Sequence, residues 1–99
     1  MKIKFTKQSL ISLKESLDFI SKEVSFEKLK RIRDEVLDST DILITHPKLG
    51  KKEEYLTHLK LGHRSIIEGN YKIIYKIEKE VIYITDIFDT RQNPEKMKG

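Results

Sequence analysis

No cysteine occurs in this chain, so disulfide staples, thiolate nucleophiles and cysteine-ligated zinc are all excluded. Long apolar runs are missing too. The N-terminal stretch Met1-Lys2-Ile3-Lys4-Phe5 is neither long nor apolar enough for a signal peptide or a membrane span, so a cytoplasmic chain without membrane contact is expected. There is no glycine-rich phosphate loop and no Gly-x-Ser-x-Gly elbow, which removes P-loop and α/β-hydrolase chemistry. The three histidines, His46, His58 and His63, lack the i, i+4 spacing of a helical zinc pair, and neither a metal nor a small-molecule cofactor is expected.

What is present is compact. The 99 residues suffice for one hydrophobic core and not for two, so residues 1–99 read as a single domain. Hydrophobic residues are only 37% and charged residues 36%, so the apolar side chains must be gathered on a few faces. The 20 basic and 16 acidic residues leave a net charge of +4, which favours an acidic or nucleic-acid partner, although most charges interleave as on an ordinary solvated surface. One segment stands out. Between His46 and Arg64, five basic residues (Lys48, Lys51, Lys52, Lys60, Arg64) face two acidic ones (Glu53, Glu54), which makes it the best candidate for touching phosphates.

Hydrophobic spacing predicts a short strand at Lys2 to Phe5, then a helix capped by Thr6 with Leu10, Leu13, Leu17, Ile20 and Val24 along one stripe. Ser25 caps a second helix carrying Phe26, Leu29, Ile32, Val36, Thr40 and Leu43, and His46-Pro47 ends it. No glycine or proline separates the two, so they form an αα-hairpin whose apolar stripes need a sheet to cover. Lys48 to Leu61 fits a loop with a strand start or a short helical turn. From His63 the pattern is a three-stranded antiparallel meander: a strand to Glu68, a Gly69-Asn70 turn, a strand from Tyr71 to Glu78 and a strand from Val81 to Phe88. Asn93-Pro94 marks the N-cap of a short terminal turn. The fold class is therefore α+β, with a short N-terminal strand, an αα-hairpin and a meander packed on the helices.

Register decides which side chains share a face. A two-residue loop at Lys79-Glu80 puts Tyr71, Ile73, Tyr75, Ile77, Ile82, Ile84, Asp86 and Phe88 together, and sets Lys72 beside Ile87, Asp89 and Arg91. A three-residue loop gives an equally apolar face through Val81, Tyr83 and Ile87. The pattern alone does not choose.

The order Gly69-Asn70-Tyr71-Lys72-Ile73-Ile74-Tyr75, a second apolar strand, then Phe88-Asp89-Thr90-Arg91 resembles the RelE/ParE family of bacterial toxins from type II toxin-antitoxin modules. The resemblance implies a growth-inhibiting toxin held by a cognate antitoxin. It further implies ribosome-dependent mRNA cleavage with ribosome and mRNA as partners or, in the ParE-like branch, inhibition of DNA gyrase; a non-catalytic binding module is the alternative from another class. For cleavage, the matching positions are Arg91 and Lys72, which would stabilise charge on the phosphorane-like transition state, with His63 as acceptor of the 2′-hydroxyl proton. Arg64 and Lys60, with Lys51 and Lys52, would grip the RNA backbone. Both Lys72 and Arg91 line one groove only in the two-residue register, which is adopted for that reason. Lys72 stands where many relatives carry arginine, His63 and Ser65 where the mRNA-cleaving type has paired lysines, and no histidine or tyrosine follows Arg91.

Overall fold

In the computed structural model, residues 1–99 form a five-stranded sheet with two helices on one face. Strand β1 (Lys2–Phe5) leads into α1 (Lys7–Ile20) and α2 (Phe26–Asp38), which continues through a 3-10 turn (Ser39–Asp41) into the one-turn α3 (Ile42–Thr45). A two-residue strand β2 (Lys51–Lys52) and a 3-10 turn (Glu54–Leu59) follow, then β3 (Arg64–Glu68), β4 (Tyr71–Glu78), β5 (Val81–Asp89) and a last 3-10 turn (Pro94–Lys96). The strand order is β1-β5-β4-β3-β2. The meander extends at both edges, because β1 pairs in parallel with β5 and β2 pairs antiparallel with β3. No helix is long and apolar enough to cross a membrane.

The caps are where the polar side chains require them. Thr6 and Ser25 accept the backbone N–H groups of Ser9 and Lys28, and Asn93 accepts that of Glu95 ahead of Pro94, each satisfying a donor that the first helical turn leaves without a partner. Thr6 also donates its backbone N–H to Ile84 and its hydroxyl to the Thr85 carbonyl, so one residue starts α1 and fixes it over β5. The face of α1 that meets the sheet is Ser9, Leu13 and Ser16, whereas Leu10 is 46% exposed. Two small serines allow a closer approach than the leucine stripe would.

The turn between β4 and β5 is the two-residue one: Glu78 pairs with Val81, Ile77 with Ile82 and Tyr75 with Ile84. Ile74 then pairs with Asp86, leaving Thr85 as a β-bulge. One extra residue on one strand reverses the facing of everything beyond it. Ile87 and Asp89 accordingly join Tyr71 and Ile73 on the helix side, while Asp86 and Phe88 move to the other face with Lys72 and Ile74. The expected grouping of Lys72 with Ile87, Asp89 and Arg91 is overturned by this bulge, although the turn itself is the one adopted. Two cores result. The larger holds Leu13, Val36, Leu43, Tyr71, Ile73, Tyr75, Ile82, Ile84 and Ile87, and the smaller holds Leu56, Ile74, Phe88 and Met97 on the second face.

Tyr75 ties the basic segment to the larger core. Its buried hydroxyl donates to the Pro47 carbonyl at 2.8 Å and accepts the Gly50 N–H at 2.8 Å. Gly50 lies so close that a Cβ there would fall 2.7 Å from the tyrosine ring and from the Ser65 carbonyl oxygen, which only glycine accommodates. Tyr75→Phe keeps the ring and strands both backbone groups. The expected loss is about 1–3 kcal/mol in a urea melt, with amides at Leu49 and Gly50 losing exchange protection before those of β4.

Candidate functional site

Lys72 lies on the second face of β4 and is not a free cation. Its ammonium is 2.7 Å from Oε1 of Glu53, whose side chain is 2% exposed, and 5.7 Å from the ring centroid of Tyr55. Glu53 also accepts the Ser65 hydroxyl at 3.2 Å and the Tyr55 N–H at 3.3 Å, so the carboxylate at the start of the 3-10 turn is compensated on both oxygens. This is a small organised polar site in which the lysine neutralises a buried acid.

His63 shares that face, one residue before β3, and is 3% exposed. Neither ring nitrogen has a hydrogen-bond partner. Burial lowers its pKa below the ordinary histidine value, with further lowering from Lys76 and His58. Arg64 points the other way, pairing with Tyr75 in the ladder, and donates from Nη1 to the Gly50 carbonyl at 2.7 Å and the Lys48 carbonyl at 3.4 Å. Lys51, Lys52 and Lys60 are exposed, the first two in β2 and Lys60 in a left-handed conformation after the 3-10 turn.

Arg91 belongs to the helix side. It donates through Nε to Oδ1 of Asp89 at 2.9 Å and through Nη2 to Oδ2 at 2.8 Å, a two-point fork. Asp89 is 7% exposed and also accepts the Ser16 hydroxyl at 3.3 Å, while Ser16 and the Tyr71 hydroxyl are 2.8 Å apart. The Arg91 hydrogen bond holds the Asp89 carboxyl below the usual carboxylate range, and Asp89 in turn raises the guanidinium. The outer edge of Arg91 lines an open groove of about 310 Å³ with Val24, Lys28, Ile32, Glu68 and Tyr71. Thus Lys72 and His63 share one face of the sheet while Arg91 meets the helices on the other.

The organising acids, Glu53, Asp86 and Asp89, were not singled out from sequence as site members. Asp89 and Asp86 stand two and five residues before Arg91, and Glu53 stands nineteen before Lys72, spacings that give no periodic signal; from sequence, Asp86 and Asp89 are equally available as structural partners of Arg91.

A family model described as the ParE toxin of type II toxin-antitoxin system, parDE, matches residues 3–94. The chain belongs to the ParE toxin family. A solved structure titled "Chromosomal ParDE TA system from P. aeruginosa" is similar with a TM-score of 0.73 at 16% identity, over 88% of this chain and 92% of that one, a likeness of fold. No curated protein matches the chain. Family membership carries the toxin role and implies a cognate antitoxin.

Two expected outcomes test these pairings. Lys72→Met leaves the Glu53 carboxylate buried with one partner fewer and should cost about 1–3 kcal/mol, below the full price of breaking a wholly buried pair because the lysine is partly exposed. Adding Glu53→Gln should recover part of that loss, giving a non-additive cycle in chemical denaturation. For Asp89 the sign follows from a carboxyl lowered in the folded state: its contribution is present above the unfolded value of about 3.9 and disappears as pH falls through the folded value. Melts taken from about pH 5 down to about pH 2 should therefore show a steeper loss for the parent protein than for Asp89→Asn.

Proposed function

We propose that this ParE-family toxin inhibits growth by binding its target without cutting RNA, with DNA gyrase as the target. The observation that supports this reading is the state of the three candidate catalytic side chains. Lys72 is paired with buried Glu53, His63 is sealed from solvent without a hydrogen-bond partner, and Arg91 is forked to Asp89 on the other side of the sheet. A 2′-hydroxyl attack requires a base and cations around one phosphate. A binding inhibitor requires only a surface.

We assign target contact to the exposed cations Lys51, Lys52 and Lys60 and to the outward edge of Arg91, with Arg64 positioning the Lys48–Gly50 loop behind them. The whole of residues 1–99 acts as one toxin domain in the cytoplasm, where a cognate antitoxin restrains it.

The discriminating experiment expresses the chain without a partner and then assays the purified protein. Growth arrest with induction of the DNA-damage response, and inhibition of purified gyrase in a supercoiling assay, are expected. Cuts at codon boundaries of translated mRNA, with gyrase unaffected, would establish ribosome-dependent cleavage in its place. Full growth at high soluble expression would remove the toxin role from this protein.

A further inference from the structure

The outer edge of β3 is only half covered. Alternate residues along it turn their main-chain groups away from β4. His63 accepts the Glu53 N–H through its carbonyl at 2.9 Å, and Ser65 pairs with Lys51 of β2. Ile67 is next in that series. Glu68 and Tyr71 close the two-residue Gly69-Asn70 turn, which aims their N–H and C=O groups at each other and leaves those of Ile67 pointing outward. Nothing in the chain meets them. Strand β2 begins at Lys51, and the Leu49 N–H that would continue the pairing is donated back to the His46 carbonyl at 3.1 Å.

Beside these open groups lie three large apolar side chains. Ile67 is 62% exposed, Leu49 56% and Tyr55 55%, and all three line one open groove of about 470 Å³ with Lys51 and Lys52. Single exposed apolar residues are ordinary, but a group of them next to an unpaired strand edge is a template for another chain. Tyr55 is already held in place, with the Lys72 ammonium 5.7 Å from its ring centroid. Of the charges lining the groove, Glu53 and Lys72 neutralise each other, which leaves exposed Lys51 and Lys52 against exposed Glu54. The excess is positive. A second copy of this chain would set the same lysines against each other, whereas an acidic segment would be attracted.

We propose that this edge takes up an extended, acidic segment of the toxin's protein target as an added strand beside β3. The segment's main chain bonds the Ile67 N–H and C=O, its alternate apolar side chains rest on Leu49, Tyr55 and Ile67, and its carboxylates meet Lys51 and Lys52. This assignment rests on the toxin being a binding inhibitor, and it gives the two lysines a partner of defined chemistry.

Two measurements separate the edge from the choice of target. In the first, the parent protein is titrated to about 1 mM with an end-blocked synthetic peptide of alternating valine and glutamate, and with its counterpart carrying lysine for glutamate. The glutamate peptide should shift the amide resonances of Leu49, Lys51 and Ile67 and slow exchange of the Ile67 amide about twofold or more, and the lysine peptide should do neither. Unchanged Ile67 exchange, or equal effects from both peptides, would overturn the proposal. The second measurement uses Ile67→Pro, which deletes the outward N–H and leaves the ladder to β4 intact, a substitution that edge strands tolerate. Ile67→Pro and Lys51→Glu, each shown by a thermal melt to be folded, should inhibit gyrase supercoiling about tenfold more weakly than the parent. Full inhibition by both would remove the edge from target contact. A parent that arrests growth and leaves gyrase unaffected would refute gyrase as the target without touching the edge, and growth arrest by the two variants then takes the place of the supercoiling assay. If Ile67→Pro does not fold, Ile67→Thr replaces it, since threonine keeps the strand and removes the apolar anchor.

Discussion

A single inserted residue, Thr85, sets the chemistry of this molecule. Before the bulge, β5 presents Ile82 and Ile84 to the helices; after it, the alternation is reversed and Ile87 and Asp89 take that side. Asp89 can then reach Ser16 on α1 and receive Arg91. The reversed phase also delivers Asp86 and Phe88 to the opposite face, where one takes the Lys98 N–H and the other joins the small core. Without the bulge, a carboxylate would enter the main core at position 86 and Ile87 would face out. Bulges of this kind re-aim side chains at the cost of one unpaired ladder position, and here the Thr85 carbonyl finds the Thr6 hydroxyl.

Buried carboxylates organise the rest. Glu53, Asp86 and Asp89 are all nearly inaccessible, and an isolated buried charge would be expensive. Each is compensated in a different currency: Glu53 by a lysine, a hydroxyl and a backbone N–H, Asp86 by two backbone N–H groups, and Asp89 by an arginine fork and a serine. Since two of these acids consume the cations most readily assigned to catalysis, the nominal net charge of +4 overstates the positive charge that those positions present to a partner.

Much of the fold was legible because local chemistry decides it. Thr6, Ser25 and Asn93 cap helices, Gly69 takes the positive φ of +58° that its turn requires, and the β4 alternation has one reading. The bulge was not legible, because Val81 to Asp89 is apolar at nearly every position and either phase leaves an acceptable face. The α1 contact face was legible only in part: Leu13 of the stripe enters the core and Leu17 packs against it, but Leu10 is exposed, and the small Ser9 and Ser16, hydrogen-bonded to Thr6 and to Tyr71, are buried beside Leu13. Hydrophobicity identifies what wants to be buried. It does not identify what is small enough to be.

The site follows the same logic at finer scale. Sequence placed Lys72 and Arg91 in one groove on the strength of a strict two-residue alternation, and that inference fails wherever the count slips by one. The chain path from Lys72 through the β4–β5 turn to Arg91 passes the extra residue Thr85, so the alternation counted along it is reversed and the two side chains end on opposite faces of the sheet. A motif defined by spacing along two paired strands therefore carries its geometry only if the pairing is unbroken between the motif's members. Here it is broken between Tyr75 and Ile74, and the two cations serve two different acids on two different faces.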